Sequence, residues 1–271
     1  MYTKKQVENA NKTFHTIFAK KYNEDNPHLN AHNLKRVRND LRSAIQQTEA
    51  NTLVDLGSGT GFILHAARDL FKQLIAVDFT EEITKHIPKE FNAKIYIENT
   101  ENTSITSNSS DIVTAYSFLH HLYELKPTLR EAYRILKPSG IFYSGMDPNK
   151  AYWAFFKKYH NISGNVILER ELRVVTKITE IMAKQGIDPD VTNASEYQKQ
   201  VKGGFDSDVL KNLFYEIGFK KVKVRFDWYL GQAFAQENYG MDTALSFEKH
   251  LYDCLPATAH LFKYLTCFAW K

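Results

Sequence analysis

Apolar positions recur with two different periods along the chain. Over 4–22, Val7, Ala10, Phe14, Ile17 and Phe18 fall on one helical face. Over 31–47, Leu34, Val37, Leu41, Ala44 and Ile45 repeat that spacing. Both stretches read as amphipathic helices, and Pro27 in "NEDNPHLN" (23–30) breaks the chain between them. From residue 52 the pattern changes to short apolar runs separated by helical stretches. The runs at 52–56, 74–78, 93–98, 110–116 and 141–147 predict strands. Helices are predicted over 61–71, over 80–87 with Thr80 as N-cap, and over 126–136 with Pro127 in the first turn. "KPSG" (137–140) predicts a turn. Strands alternating with helices at this pitch predict βαβ units, a mostly parallel sheet and helices on both faces.

After Pro148 the alternation stops. Residues 149–205 read as mainly helical, including 167–185 with Leu168, Leu172, Val175, Ile178 and Met182 along one side. A helix follows over 203–219, capped by Asp206 or Ser207. Residues 220–230 alternate like a strand, 232–262 are helical in tendency, and 264–271 predict a final strand. There is no internal repeat. The expected organisation is an N-terminal helical segment (1–47) and an α/β core formed by 48–148 and 206–271. The core carries a helical insertion at about 231–262, and 149–205 is expected as a helical cap over the ligand crevice.

Composition narrows this picture. The chain has 271 residues, 43% of them hydrophobic, which suits one large domain with insertions and no separate linker. Its 35 basic and 31 acidic side chains leave a formal net charge of +4, too mild to imply nucleic acid. "LKRVRNDLR" (34–42) reads as a solvated helix face, with a site for an anionic substrate as the alternative. Cys254 and Cys267 have no CxxC or Cys/His pairing, so neither a disulfide framework nor a metal site is expected. A reducing, cytoplasmic setting fits that cysteine usage. The charged start of the chain lacks an apolar signal core, and no run is long enough to predict a membrane span. The many aromatics, 18 Phe and 15 Tyr among them, predict core packing; "YWAFF" (152–156) and "FDWYLGQAF" (226–234) are also candidates for lining an acceptor pocket.

The candidate chemistry begins at "LVDLGSGTGF" (53–62). Gly57, Gly59 and Gly61 follow the first strand, where glycine lets the chain turn sharply and lets a ligand approach the main chain. Asp78 ends the second strand, where a carboxylate can accept both hydroxyls of a ribose. An adenosine-containing cofactor is therefore expected. Position 62 is Phe, which departs from the G-x-G-x-x-G dinucleotide fingerprint, and no Gly-Lys-Ser/Thr of a P-loop occurs. Asp55 precedes the loop, either bordering the cofactor or accepting the loop's backbone N–H groups as a structural carboxylate.

"VDLGSGTG" resembles motif I of the class I S-adenosylmethionine-dependent methyltransferases. "AVDFT", "SSDIVTAYSFLHHL" (109–122) and "LREAYRILKPSGIFYSGMD" (129–147) resemble that family's later motifs in order, over about 48–147. The wording "FLHHL" and "RILKPSG" is most similar to small-molecule methyltransferases, those acting on quinone precursors included. The resemblance implies a Rossmann-like seven-stranded sheet whose last strand is antiparallel, S-adenosylmethionine as cofactor and S-adenosylhomocysteine as product. It implies cofactor contacts at Asp55, Gly57, Ser58, Gly59 and Gly61, at Asp78 for the ribose and at Phe79 for the adenine. Further contacts are implied at Tyr116, Ser117 and Tyr22, the last closing over the cofactor from the N-terminal segment. Where the family often carries Asp for the adenine amino group, this chain has Asn99, followed by Thr100 and Glu101.

Methyl transfer from a sulfonium needs alignment above all, and a base only if the acceptor loses a proton. The candidates by position are His120, His121 and Tyr116; each histidine taken alone also reads as a helix-start residue facing core or solvent. The expected function is methyl transfer to a small organic acceptor under the helical cap. The alternatives are an RNA or protein methyltransferase, which the absence of a basic tail disfavours, and a binding or regulatory protein of this fold without turnover. An NAD-dependent oxidoreductase is disfavoured by the glycine spacing.

Overall fold

The computed structural model describes residues 2–19, 30–48 and 50–271. Seven strands form one sheet: β1 (Thr52–Leu56), β2 (Gln73–Val77), β3 (Lys94–Tyr96), β4 (Ser110–Tyr116), β5 (Leu136–Pro148), β6 (Lys221–Tyr229) and β7 (Phe262–Trp270). Their order is β3-β2-β1-β4-β5-β7-β6. The pairs among β1 to β5 are parallel, and β7 runs antiparallel to both β5 and β6. This is the expected Rossmann-like arrangement. All of β4 except Tyr116 is buried, as is all of β1 except Thr52, which is why these strands read as continuous apolar runs.

Twelve α-helices lie among the described residues: α1 (Lys4–Phe18), α2 (Ala31–Thr48), α3 (Phe62–Ala67), α4 (Glu81–Thr84), α5 (Leu125–Ile135), α6 (Lys150–Tyr159), α7 (Val166–Lys184), α8 (Pro189–Ser195), α9 (Tyr197–Gln200) and α10 (Ser207–Ile217) before β6, and α11 (Gln232–Tyr239) and α12 (Met241–Asp253) in the second insertion after it. The alternation of strand side chains decides which helix covers which face. Leu53, Ile141 and Tyr143 pack with Val37 and Leu41 of α2 and Ile63 and Leu64 of α3. Val54, Leu56 and Phe142 point the other way, against Leu129 and Ala132 of α5 and Leu210 and Phe214 of α10. Each such fully buried side chain contributes roughly 1.5–3 kcal/mol.

Several boundaries differ from the sequence pattern. The helix expected over 61–71 ends at Ala67, because Arg68 is extended and Asp69 takes a left-handed φ of 63°. The helix expected over 80–87 is a single turn, and Thr80 gives it no side-chain cap. The third strand shortens to three residues. "KPSG" bulges inside β5 rather than preceding it: Leu136 pairs with Ser110, and the next pair is Ile141 with Ile112. Asp206, not Ser207, caps α10 by accepting from Asp208 and Val209 N–H. The 232–262 stretch breaks at Gly240 into α11 and α12.

Outside the sheet, α1 begins with a capping box in which Thr3 and Gln6 satisfy each other's backbone N–H groups. It packs Phe14 and Phe18 against Met182 of α7 and Ile187 before α8. The N-terminal helix therefore rests on the 149–205 insertion rather than on the sheet.

Candidate active site

The cleft lies over the carboxyl ends of β1, β2 and β4, where an open α/β sheet binds its ligand. Gly57 and Gly59 adopt φ of 73° and 51°. The N–H groups of Gly57 and Ser58 both donate to the Val77 carbonyl, at 2.8 and 3.1 Å, and fold the loop back over β2. A Cβ on Gly57 would sit 2.0 Å from the Phe118 ring, so that glycine is required by packing as well as by backbone angle.

Asp78 receives the Gly59 N–H at 3.0 Å and the Thr80 N–H at 2.9 Å, one on each carboxylate oxygen. Burial pushes its pKa up, and those two N–H groups oppose the shift. Asp55 is buried at the loop's entry and accepts the Thr114 hydroxyl of β4 at 2.6 Å. Its partner is therefore a side chain, not the loop N–H groups of the structural alternative. Burial pushes its pKa up to about 8, against the Thr114 hydrogen bond and with a smaller push from the Asp78 charge.

The cleft is bordered by Asp55, Gly57, Ser58, Gly59, Asp78 and Phe79, by Asn99, Thr100 and Glu101 after β3, and by Tyr116, Ser117 and His121 around the end of β4. Gly61 is not part of the lining; it is the N-cap of α3, packed toward Ile87 and Leu64. Tyr22 lies outside the described residues. The Asn99 carbonyl oxygen accepts the Glu101 N–H at 3.0 Å, and the Thr100 hydroxyl meets that of Thr128 at 3.2 Å. The Tyr116 hydroxyl donates to Asn33 Oδ1 at 3.0 Å, and burial pushes its pKa up, so it stays a phenol.

Two non-glycine residues of the lining hold left-handed backbones, Ser117 (φ 52°) and Met146 (φ 60°). Met146 lies in a β5 bulge, where Ser144 pairs with Cys267 and Asp147 with Leu265. Such conformations cost about 1–3 kcal/mol each and concentrate at functional sites.

The two histidines separate in role. His120 is buried outside the lining, with Nδ1 3.1 Å from Asp147 Oδ1 and Nε2 3.7 Å from Glu196 Oε1. Burial opposes its charge, but Glu196 and Asp147 outweigh it and raise its pKa to about 9. His121 borders the cleft, its Nδ1 2.6 Å from the Ser195 carbonyl. Burial, reinforced by the charge on His120, holds its pKa well below the usual histidine value. Ligand-type atoms of His120, His121 and Glu196 come within 4.8 Å of one another; the ion pairs around His120 account for that cluster without a metal ion.

Sequence reasoning missed the α1 wall. Lys4, Val7, Glu8, Asn11 and His15 all border the cleft. The signal was present: Asn11 and His15 interrupt the apolar stripe of Val7, Ala10, Phe14 and Phe18. Asn11 Nδ2 donates to the carbonyls of Val7 (3.0 Å) and His121 (2.9 Å), while its buried Oδ1 finds no partner among the described residues, nor does Ser58 Oγ. Lys4 forms an ion pair with Glu101 across the cleft mouth. By contrast, no described residue of 149–205 or 231–262 borders this cleft. Tyr152 and Phe156 pack with Leu168, and Tyr229 packs with Leu251 and Phe262, so the aromatic-rich stretches supply satellite cores there.

Residues 54–144 match the family model described as a methyltransferase domain, and this span contains the loop, Asp78 and both histidines. Residues 54–144 carry a methyltransferase domain of the class I, S-adenosylmethionine-dependent kind. A ubiquinone biosynthesis O-methyltransferase of Xanthomonas oryzae pv. oryzae is 26% identical over 140 residues, which is 49% of this chain and 59% of that protein. The chain thus spans little more than half the length of the curated relatives it matches. The methyltransferase fold extends further than the sequence match. A SAM-dependent methyltransferase of Archaeoglobus fulgidus superposes with a TM-score of 0.53 at 16% identity, covering 88% of this chain and 94% of its own. The plantazolicin methyltransferase BpumL, solved with a desmethyl analogue and S-adenosylhomocysteine, gives 0.55 at 11% identity and covers 99% of both chains.

Proposed function

We propose that the protein transfers the methyl group of S-adenosylmethionine to a small organic acceptor. The observation that carries this reading is the cleft floor: Gly57, Ser58 and Gly59 border the cleft together with the carboxylates of Asp55 and Asp78. These residues fit the cofactor. Asp78 keeps lone pairs for ribose hydroxyls beyond its two backbone partners, and Phe79, beside it in the cleft lining, would pack on the adenine. Ser58 Oγ and Asn11 Oδ1, buried with no hydrogen-bond partner among the described residues, would serve the amino-acid end. Asp55, ionised by an adjacent ammonium, would complete that end.

When bound, the cofactor supplies an electrophilic methyl on a sulfonium. The chain's own task is alignment and exclusion of water, and α1 closes the cleft for it, tied across the mouth by Lys4 and Glu101. A small acceptor fits the mild charge of the chain and the narrow space between α1 and the end of β4.

The test is ligand-dependent stability. S-adenosylhomocysteine at one hundred times its dissociation constant should stabilise the chain by about 2.7 kcal/mol. Asp78→Ala should remove most of that shift in melting temperature. No shift at millimolar ligand would sink the reading.

A further inference from the structure

We propose that His120, His121 and Glu196 form a binding site for a zinc ion at the back of the cleft wall. The site stands on its own geometry, apart from the methyl-transfer reading above.

Local structure brings the three side chains together. The turn Leu119–His121 after β4 sets two consecutive imidazoles side by side, with ring centroids 4.2 Å apart. Glu196 ends α8 and begins α9. Gln198 of α9 ties that junction to the turn, because its Nε2 donates to the carbonyls of Leu122 (2.8 Å) and Tyr123 (2.9 Å). Asn11 of α1 also holds the turn, donating to the His121 carbonyl at 2.9 Å. One ring nitrogen of each histidine and one Glu196 oxygen then lie within 4.8 Å of one another. Zinc holds such donors at about 2.0–2.2 Å, roughly 3.4 Å from each other, so a shift of about 1 Å closes the set.

The outer contacts match what a metal-bound imidazole needs. A ligating histidine gives its other ring N–H to a carboxylate or a backbone carbonyl, which fixes the ring and its tautomer. Asp147 Oδ1 accepts the His120 backbone N–H at 3.3 Å and lies 3.1 Å from Nδ1. That leaves Nε2, which faces Glu196 Oε1 at 3.7 Å. The gap is too long for a hydrogen bond, and it is a span that an ion between the two atoms bridges. His121 Nδ1 lies 2.6 Å from the Ser195 carbonyl, which only accepts, so Nδ1 carries the hydrogen and Nε2 keeps a lone pair. Glu196 Oε2 pairs with Lys199 at 3.1 Å and leaves Oε1 for the ion.

Burial and charge agree with that assignment. His120 and His121 are buried, and the Glu196 side chain is only 15% exposed. Without an ion, the ion pairs of a protonated His120 hold the cluster together. Zinc takes the place of that proton, and its two charges meet the carboxylates of Glu196 and Asp147. The other charged or titratable groups facing the cluster are Lys199 and His15 of α1, whose ring lies 5.0 Å from that of His121. Two imidazoles and one carboxylate suit zinc, whereas magnesium and calcium take oxygen ligands. Of the three ligands His121 alone borders the cleft. The ion is therefore a staple that joins the turn after β4 to the 149–205 insertion on which α1 rests.

The test uses the full chain, stripped with EDTA and dialysed, with zinc, cobalt and magnesium chlorides as probes. The wild type should retain one zinc per chain by elemental analysis. Its melting temperature should rise with zinc and return with EDTA, and magnesium at the same concentration should give no rise. Cobalt should show the strong visible bands of a four-coordinate ion, and zinc should bleach them. Glu196→Gln and Asp147→Asn should each weaken zinc binding about 10–100-fold. His32→Gln, which removes an exposed histidine, should leave zinc binding unchanged. Should the site variants fail to fold, the cobalt spectrum of the wild type decides alone. No retained zinc, an equal rise with magnesium, a six-coordinate cobalt spectrum, or zinc binding that Glu196→Gln leaves intact would each overturn the proposal.

Discussion

Among single residues, Gly57 and Asp55 show how the same short loop serves backbone and charge. Gly57 combines a φ of 73° with a ring at contact distance, so both angle and space exclude a side chain. Gly57→Ala should cost about 2–5 kcal/mol, the sum of a left-handed alanine and an overpacked contact. Phe118→Ala in the same chain should recover the packing part, and a double-mutant cycle in urea would read the coupling; additive losses would contradict it. Asp55 titrates with a folded-state value of about 8 against an ordinary 3.8. Between those values the folded chain holds a proton that the unfolded chain has released. Stability therefore falls as pH rises through that window, no more steeply than about 1.4 kcal/mol per pH unit. Asp55→Asn keeps an oxygen for the Thr114 hydroxyl and has no such proton. Its stability relative to wild type should rise from pH 4 to pH 8, measured by urea midpoints at each pH.

At the scale of elements, α1 is the part that the pattern located and misjudged. Its apolar stripe was legible, and the helix it predicts is present with its capping box. Its polar interruptions, Asn11 and His15, were legible as letters but not as a wall of the cleft, because helical spacing does not say what a face meets. The face meets α8 and the 149–205 insertion through Phe14, Phe18, Met182 and Ile187. Phe14→Ala should weaken that docking by about 3 kcal/mol. Hydrogen exchange of the α1 amides should accelerate while the sheet amides stay protected, and the S-adenosylhomocysteine dissociation rate should rise; unchanged exchange would detach α1 from the closing role. The β-strands were easier to read. Strands buried on both faces are apolar throughout, so their composition alone marks them, whereas the "KPSG" bulge depends on pairing with β4.

Across the whole molecule, distant segments are joined by an ionic network on the far side of the site. Arg225 of β6 makes two hydrogen bonds to Asp40 of α2, at 2.8 and 2.7 Å, and two to Asp227, at 2.9 and 3.3 Å. Arg36 of α2 and the Thr266 hydroxyl of β7 also bind Asp227. The flanking carboxylates raise the Arg225 pKa against the cost of burial, so the charge is fixed at any working pH. Arg225→Met would leave two acids facing each other and should cost about 3 kcal/mol, read as a lower urea midpoint with an unchanged slope.

By itself the sequence determined the period of each segment, the glycine loop with its two acids, and the order of motifs from 53 to 147. These are local properties: a strand buried on both faces, a backbone that needs φ above zero and a carboxylate at a strand end are each written in a few adjacent residues. Tertiary structure alone decided which histidine meets the cleft, which one is held between Asp147 and Glu196, and that α1 rather than the 149–205 insertion forms the wall. Those outcomes depend on partners far away in the chain. A protonation state and a cavity wall are set by whatever packs against a residue, and Ser195 and Glu196 meet His121 and His120 only because the chain folds back after β5.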